Sequence, residues 1–211
     1  MEPDALDELW PLRPRPCDGE LFSSWLVRVA RCYEMPVETF CREVWPGQQV
    51  WHRDIDRQID DDALQLLSRK TGVPYPELFS MTLRCHEQYA SAAAGAGSAR
   101  DLYFHFGGTE YAIRFCPYCL AGSRPYYRLE WRLAFVTACP RHRRPLLEKC
   151  DYCKAPCLFA NIDVDWPFGS CSRCHRHLSG MGKSIDKERA LQLELHIEFQ
   201  QNMFHVLRAR P

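Results

Sequence analysis

A chain of 211 residues that is 46% apolar and 26% charged can bury one or two cores and is too apolar to remain disordered. No apolar run reaches the ~20 residues that span a bilayer, and the acidic stretch from Met1 to Trp10 lacks the basic-then-apolar layout of a secretory signal. The protein is therefore expected to be cytoplasmic, with no membrane contact. Its 27 basic and 27 acidic residues cancel overall but not locally: Lys and Arg count 7 against 14 Asp and Glu over residues 1–62, and 10 against 5 over 116–178. The acidic half suits a basic protein partner and the basic half suits nucleic acid, although a solvated surface would show the same asymmetry.

In chain order, Gly19-Glu20 leads into Leu21, Phe22, Trp25, Leu26, Val29 and Ala30, spaced for one apolar face of a first helix. Met35-Pro36 breaks it, and Val37 to Val44 resumes the pattern. Asp61 or Asp62 is placed to cap a helix carrying Ala63, Leu64, Leu66 and Leu67, and Thr71-Gly72-Val73-Pro74 turns the chain into a helix from Tyr75 to Leu83. Helix, glycine turn, helix is the layout of a helix-turn-helix, and equally of a small helical bundle; a basic recognition helix is lacking. Ala90 to Arg100 is small and of low complexity, as in a linker, and Leu102 to Phe115 with Gly107-Gly108 reads as a short hairpin. From Ile185 to Leu207, the apolar positions Leu191, Leu195, Phe199, Met203 and Val206 predict an amphipathic helix whose stripe packs on the protein itself.

Twelve cysteines in a reducing compartment call for metal or burial rather than disulfides. Cys17, Cys32, Cys41 and Cys85 stand alone and are expected to be small core residues. The others crowd together. Cys116-Pro-Tyr-Cys119 is followed by Cys139-Pro-Arg-His142, then Cys150-Asp-Tyr-Cys153 by Cys171-Ser-Arg-Cys174. Two ligands separated by two residues supply half of a tetrahedral zinc site from one turn, so two structural Zn2+ ions are expected. Sequential pairing gives one site of three cysteines and a histidine and one of four cysteines; cross-braced pairing is the alternative. Cys157, His175 and His177 are left over, one as a packed thiol and two as exposed donors. Four protein ligands per ion leave no open position for water or substrate, no glycine-rich phosphate loop with a lysine is present, and a non-enzymatic protein is expected.

The expected fold is mainly α with small zinc-ribbon β elements. It comprises a helix-turn-helix-like domain (1–89), a linker (90–100), a tandem zinc-finger domain (101–180) and a C-terminal amphipathic helix (181–211).

Several of these segments resemble the TniQ family of transposition targeting proteins. They are Phe115-Cys116-Pro117-Tyr118-Cys119-Leu120, Pro125-Tyr126-Tyr127-Arg128, Trp131-Arg132-Leu133-Ala134-Phe135 and Cys139-Pro140-Arg141-His142, together with Leu146-Leu147 and the opening helix from Gly19 to Ala30. The resemblance covers residues 9 to about 180; Asp151 stands where the third knuckle commonly has proline. It implies a non-catalytic selector that joins target DNA, or a DNA-bound complex such as a CRISPR RNA-guided effector, to the AAA+ transposition ATPase (TnsC/TniB-type). Homodimerisation is left open. A stand-alone zinc-finger transcription regulator is the competing reading. Arg124, Arg128, Arg132, Arg141, Arg143, Arg144, Arg173 and Arg176 are the candidate phosphate contacts. Tyr126, Tyr127 and Trp131 are candidates to stack on bases, unless Trp131, Leu133 and Phe135 form the core between the knuckles.

Overall fold

The structure, a computed structural model, describes residues 9–47, 50, 54–86, 103, 112–182 and 187–208. The expected linker at 90–100 and most of the expected hairpin, Gly107-Gly108 included, lie outside the described residues. Among these the protein is mainly helical: α1 (Phe22–Cys32), α2 (Val37–Val44), α3 (Ile55–Gln58), α4 (Asp61–Thr71), α5 (Tyr75–Ser80), α6 (Pro117–Leu120) and α7 (Lys187–Arg208). Its one sheet there is an antiparallel pair, β1 (Ala138–Cys139) and β2 (Arg144–Pro145), with Cys139 opposite Arg144. No described helix is long and apolar enough to cross a membrane.

Local chemistry sets the helix ends. Pro36 and Pro74 precede α2 and α5 in the extended backbone that proline imposes. The cap of α4 is Asp60, one residue before the two expected, and its carboxylate accepts from the Ala63 N–H at 2.8 Å. Gly72 closes the same helix at φ 69°, the left-handed position that glycine takes at least cost. α5 is only six residues long and carries Glu77 with no Lys or Arg.

The core is continuous. Leu21, Phe22, Trp25, Leu26 and Val29 of the first helical segment are buried in one cluster with Tyr127, Trp131, Leu133 and Cys116 from the cysteine-rich half. The backbone joins them: Leu21 N–H donates to Tyr127 O at 2.9 Å and Leu129 N–H to Gly19 O at 3.0 Å. Trp131 and Leu133 are core residues, as the second of the two readings had it. Of the isolated cysteines, Cys41 is buried and Cys17 and Cys85 are half-buried, whereas Cys32 is exposed, contrary to expectation.

Arg132 is a correction among the candidate phosphate contacts. Only 2% exposed, it meets Asp54 at 2.6 Å and Asp56 at 3.2 Å, and Asp56 also accepts from the Ser23 N–H and hydroxyl, both at 2.8 Å. Three buried charges thus tie α1, α3 and the 3-10 turn Leu129–Arg132 together. A guanidinium held this deep cannot reach a phosphate. Burial pushes the Asp56 carboxyl up from 3.8 to about 7, against the downward pull of Arg132. A carboxyl raised in the folded state favours folding when protonated, so this contribution is complete below about pH 4 and lost as pH rises through about 7. Asp56→Asn is expected to remove a decline in stability between about pH 4 and 7, measured by urea unfolding under saturating zinc.

α7 corrects a second expectation. Leu191, Leu195, Phe199 and Val206 point outward, at 49–68% exposed, and the face one step round the helix does the packing. Leu193 and Ile197 cover Ala138, and Phe204 meets the Phe135 ring edge-on at 5.3 Å. Gln200 decides the orientation: its carbonyl accepts from the Thr137 and Ala138 N–H groups at 2.7 and 2.8 Å, and its amide donates to Ala138 O at 3.1 Å. Those backbone groups would otherwise be buried without partners, at a cost that outweighs a leucine left in water.

Candidate metal centres

Cys116 precedes α6, whose first residue, Pro117, needs no hydrogen bond there; one turn later Cys119 lies alongside it. Cys139 ends β1 and His142 sits in the turn before β2, so the hairpin delivers the other pair. The Sγ atoms of Cys119 and Cys139 lie 3.8 Å apart, and His142 Nδ1 is 3.3–3.6 Å from the three sulfurs. A tetrahedral zinc with ordinary Zn–S and Zn–N bonds sets these separations at about 3.8 and 3.6 Å, so the set fits that ion.

The second cluster is built from two knuckles of one design. In each, the N–H of the residue after the second cysteine returns to the first cysteine's carbonyl, Lys154 to Cys150 and His175 to Cys171, both at 2.9 Å. Lys154 and His175 take the left-handed backbone at φ 60° and 61°, and Arg143, after His142, does so at 49°. Cys150 and Cys174 lie 3.7 Å apart and Cys153 and Cys171 3.6 Å. Within each cluster all four ligand atoms fall within 4.8 Å of one another, so both could hold a metal ion. They gather in sequential order, Cys116, Cys119, Cys139 and His142, then Cys150, Cys153, Cys171 and Cys174.

In the first cluster the thiols share their protons unevenly: hydrogen bonds with Cys119 and Cys139 raise Cys116 well above its ordinary value. Hydrogen bonds from Cys116 and then Cys119 hold the Cys139 thiol well below its ordinary value, and the thiolate is the form a metal binds. The spare candidates are used elsewhere. Burial pushes the Cys157 thiol up to about 12, and its Sγ lies 3.5 Å from the Tyr127 hydroxyl. His177 accepts at Nδ1 from the Ser179 N–H at 3.2 Å, which leaves Nε2 to donate to Phe168 O at 3.2 Å.

The remaining arginines spread over this half. Arg124, Arg141 and Arg173 are exposed. Arg128, half-buried, lies over the Tyr126 ring, and both side chains reach Asp18 O. Arg143 is paired with Glu194 of α7. Arg144 lies 5.4 Å over Tyr118, and Arg176 lies 4.2 Å over Tyr152. Tyr127 and Trp131, named as base-stacking candidates, are fully buried. Sequence reasoning passed over, as candidate contacts, three exposed aromatic residues of this half, Tyr118, Tyr152 and Trp166. A signal was there: both tyrosines occupy the same place in their knuckles, just before the second cysteine.

The model of the TniQ family matches residues 11–146 of the chain. That span holds α1 to α5 and the whole first cluster, and it ends before Cys150. Among curated proteins none matches the chain.

Proposed function

Because the chain belongs to the TniQ family, we propose that it acts in DNA transposition as a non-catalytic target selector, joining target DNA or a DNA-bound complex to an AAA+ ATPase that brings the transposase. The match over residues 11–146 carries this reading. The closed ligand sets support it, since two zinc ions held by four protein ligands each organise the surface and leave no coordination position for a reacting molecule. In this reading residues 1–89 present acidic surface to a protein partner. Residues 101–180 present Arg124, Arg141 and Arg173 to phosphates.

The test is a pull-down of the protein, with its zinc counted, against an AAA+ transposition ATPase of the TnsC/TniB type, with and without target DNA. Two zincs with ATPase capture are expected. Tight sequence-specific DNA binding without capture would instead make the protein a stand-alone regulator. Reversing Arg124, Arg141 and Arg173 to glutamate is expected to weaken duplex binding and to lower the slope of log affinity against log salt by about 0.9 for each phosphate no longer neutralised. Unchanged affinity and slope would remove these arginines from the interface.

A further inference from the structure

The face of the second cluster carries an arrangement that its metal does not require. Tyr152 is 59% exposed although the Arg176 guanidinium lies 4.2 Å over its ring, and Trp166 is 42% exposed although the His175 ring stacks on it at 4.5 Å and 25°. Two consecutive residues, His175 and Arg176, thus back two separate aromatic plates, each with a face left open to water. Both plates are fixed. Tyr152 stands between the ligands Cys150 and Cys153, and the loop bearing Trp166 is fastened by Arg31 of α1, which donates to the carbonyls of Asp163, Val164 and Trp166. A solvated surface gains nothing from an open tryptophan and an open tyrosine that are each already backed on one side.

We propose that this face binds unpaired nucleotides, with Tyr152 and Trp166 each stacking on a base and Arg176 and Arg173 facing the phosphates between them. The inference rests on the reading of the chain as a nucleic-acid-directed protein and assigns its second cluster a ligand. A flat ring backed by a cation or an imidazole suits the face of a base, and stacking of this kind is tolerant of sequence because every base has one. Paired bases bury those faces inside the helix, so the surface selects single strands or extruded bases over duplex. Asp151, Asp163 and Asp165 are interspersed in the chain with Lys149, Lys154, Arg173 and Arg176, so stacking supplies more of the binding than phosphate contact does.

The experiment uses the full chain with its metal content counted, and labelled single-stranded DNA, single-stranded RNA and the matching duplex, followed by anisotropy across a salt series. Tyr152→Ala and Trp166→Ala are each expected to weaken single-strand binding by about tenfold, with duplex affinity and salt slope unchanged. Tyr152→Phe and Trp166→Phe keep a ring and are expected to bind as the parent does. The DNA and RNA arms show whether a 2′-hydroxyl matters. Alanine variants that retain their zinc and bind single strands like the parent would overturn the proposal. So would alanine variants that lose ATPase capture but not single-strand affinity, which would make the plates a protein contact and leave the adaptor reading standing. Failure of the adaptor reading shows separately, as absent ATPase capture by the parent protein.

Discussion

Cys116→Ser is expected to unfold far more of the protein than its own turn. An occupied structural zinc site contributes apparent binding free energy of about 10–16 kcal/mol at neutral pH, comparable with the whole stability of a domain at about 5–15 kcal/mol. The first cluster spreads that contribution widely. Cys116 is fully buried in the main core, the preceding Phe115 pairs with Leu147, and β1, which ends in Cys139, is the surface on which α7 docks. Losing the ion should therefore release α7 and loosen the packing between Tyr127–Leu133 and α1. Cys174→Ser, in the second cluster, should disturb residues 150–178 and leave the first ion bound. Zinc release followed with a chromogenic indicator, alongside near-UV circular dichroism, separates the two. Because Cys150, Cys171 and Phe159 share the main core with Cys116, both variants should lose tertiary signal, and the loss should be larger for the first ion, whose release also frees α7; a larger loss for the second would contradict the assignment.

Arg132→Met is expected to destabilise the protein by about 3–5 kcal/mol, the usual result of leaving a buried charge without its partner, because Asp54 and Asp56 would then face each other with no cation. The loss arises from the carboxylates left behind rather than from the missing attraction. Adding Asp54→Asn and Asp56→Asn to the same protein should therefore restore most of it, since the side-chain amide introduced by Asp56→Asn can still accept from the Ser23 N–H. Denaturant unfolding of the single and triple variants checks this. A triple variant as unstable as the single one would mean that the guanidinium itself is indispensable.

The two ligand clusters were more legible in the sequence than anything else, because side chains that could hold zinc follow fixed spacings that survive without any knowledge of the fold. The sequence also placed α1, α2 and α4 closely, since proline, glycine and apolar periodicity act over a few residues. Long-range choices were hidden. Asp54, Asp56 and Arg132 look like ordinary surface charges in the sequence, and only the approach of the turn at Leu129–Arg132 to α1 and α3 makes them partners. α7 offered two apolar stripes, and the one chosen was decided by the hydrogen-bonding needs of Thr137 and Ala138, some 60 residues away. The exposed tyrosines lay unnoticed within the knuckles because the ligands around them account so well for those segments.

The junction between α1 and the later chain has a consequence for synthesis. Ser24 is bonded to Tyr127, 103 residues further along, and Arg31 reaches carbonyls 132 to 135 residues ahead. At about 5–20 residues per second, the ribosome takes on the order of ten seconds to deliver those partners after α1 has emerged. Throughout that interval the nascent helix presents Trp25, Leu26 and Val29 without the chain that later covers them, which makes the unfinished polypeptide a client for chaperones and an aggregation risk when translation stalls before the second knuckle.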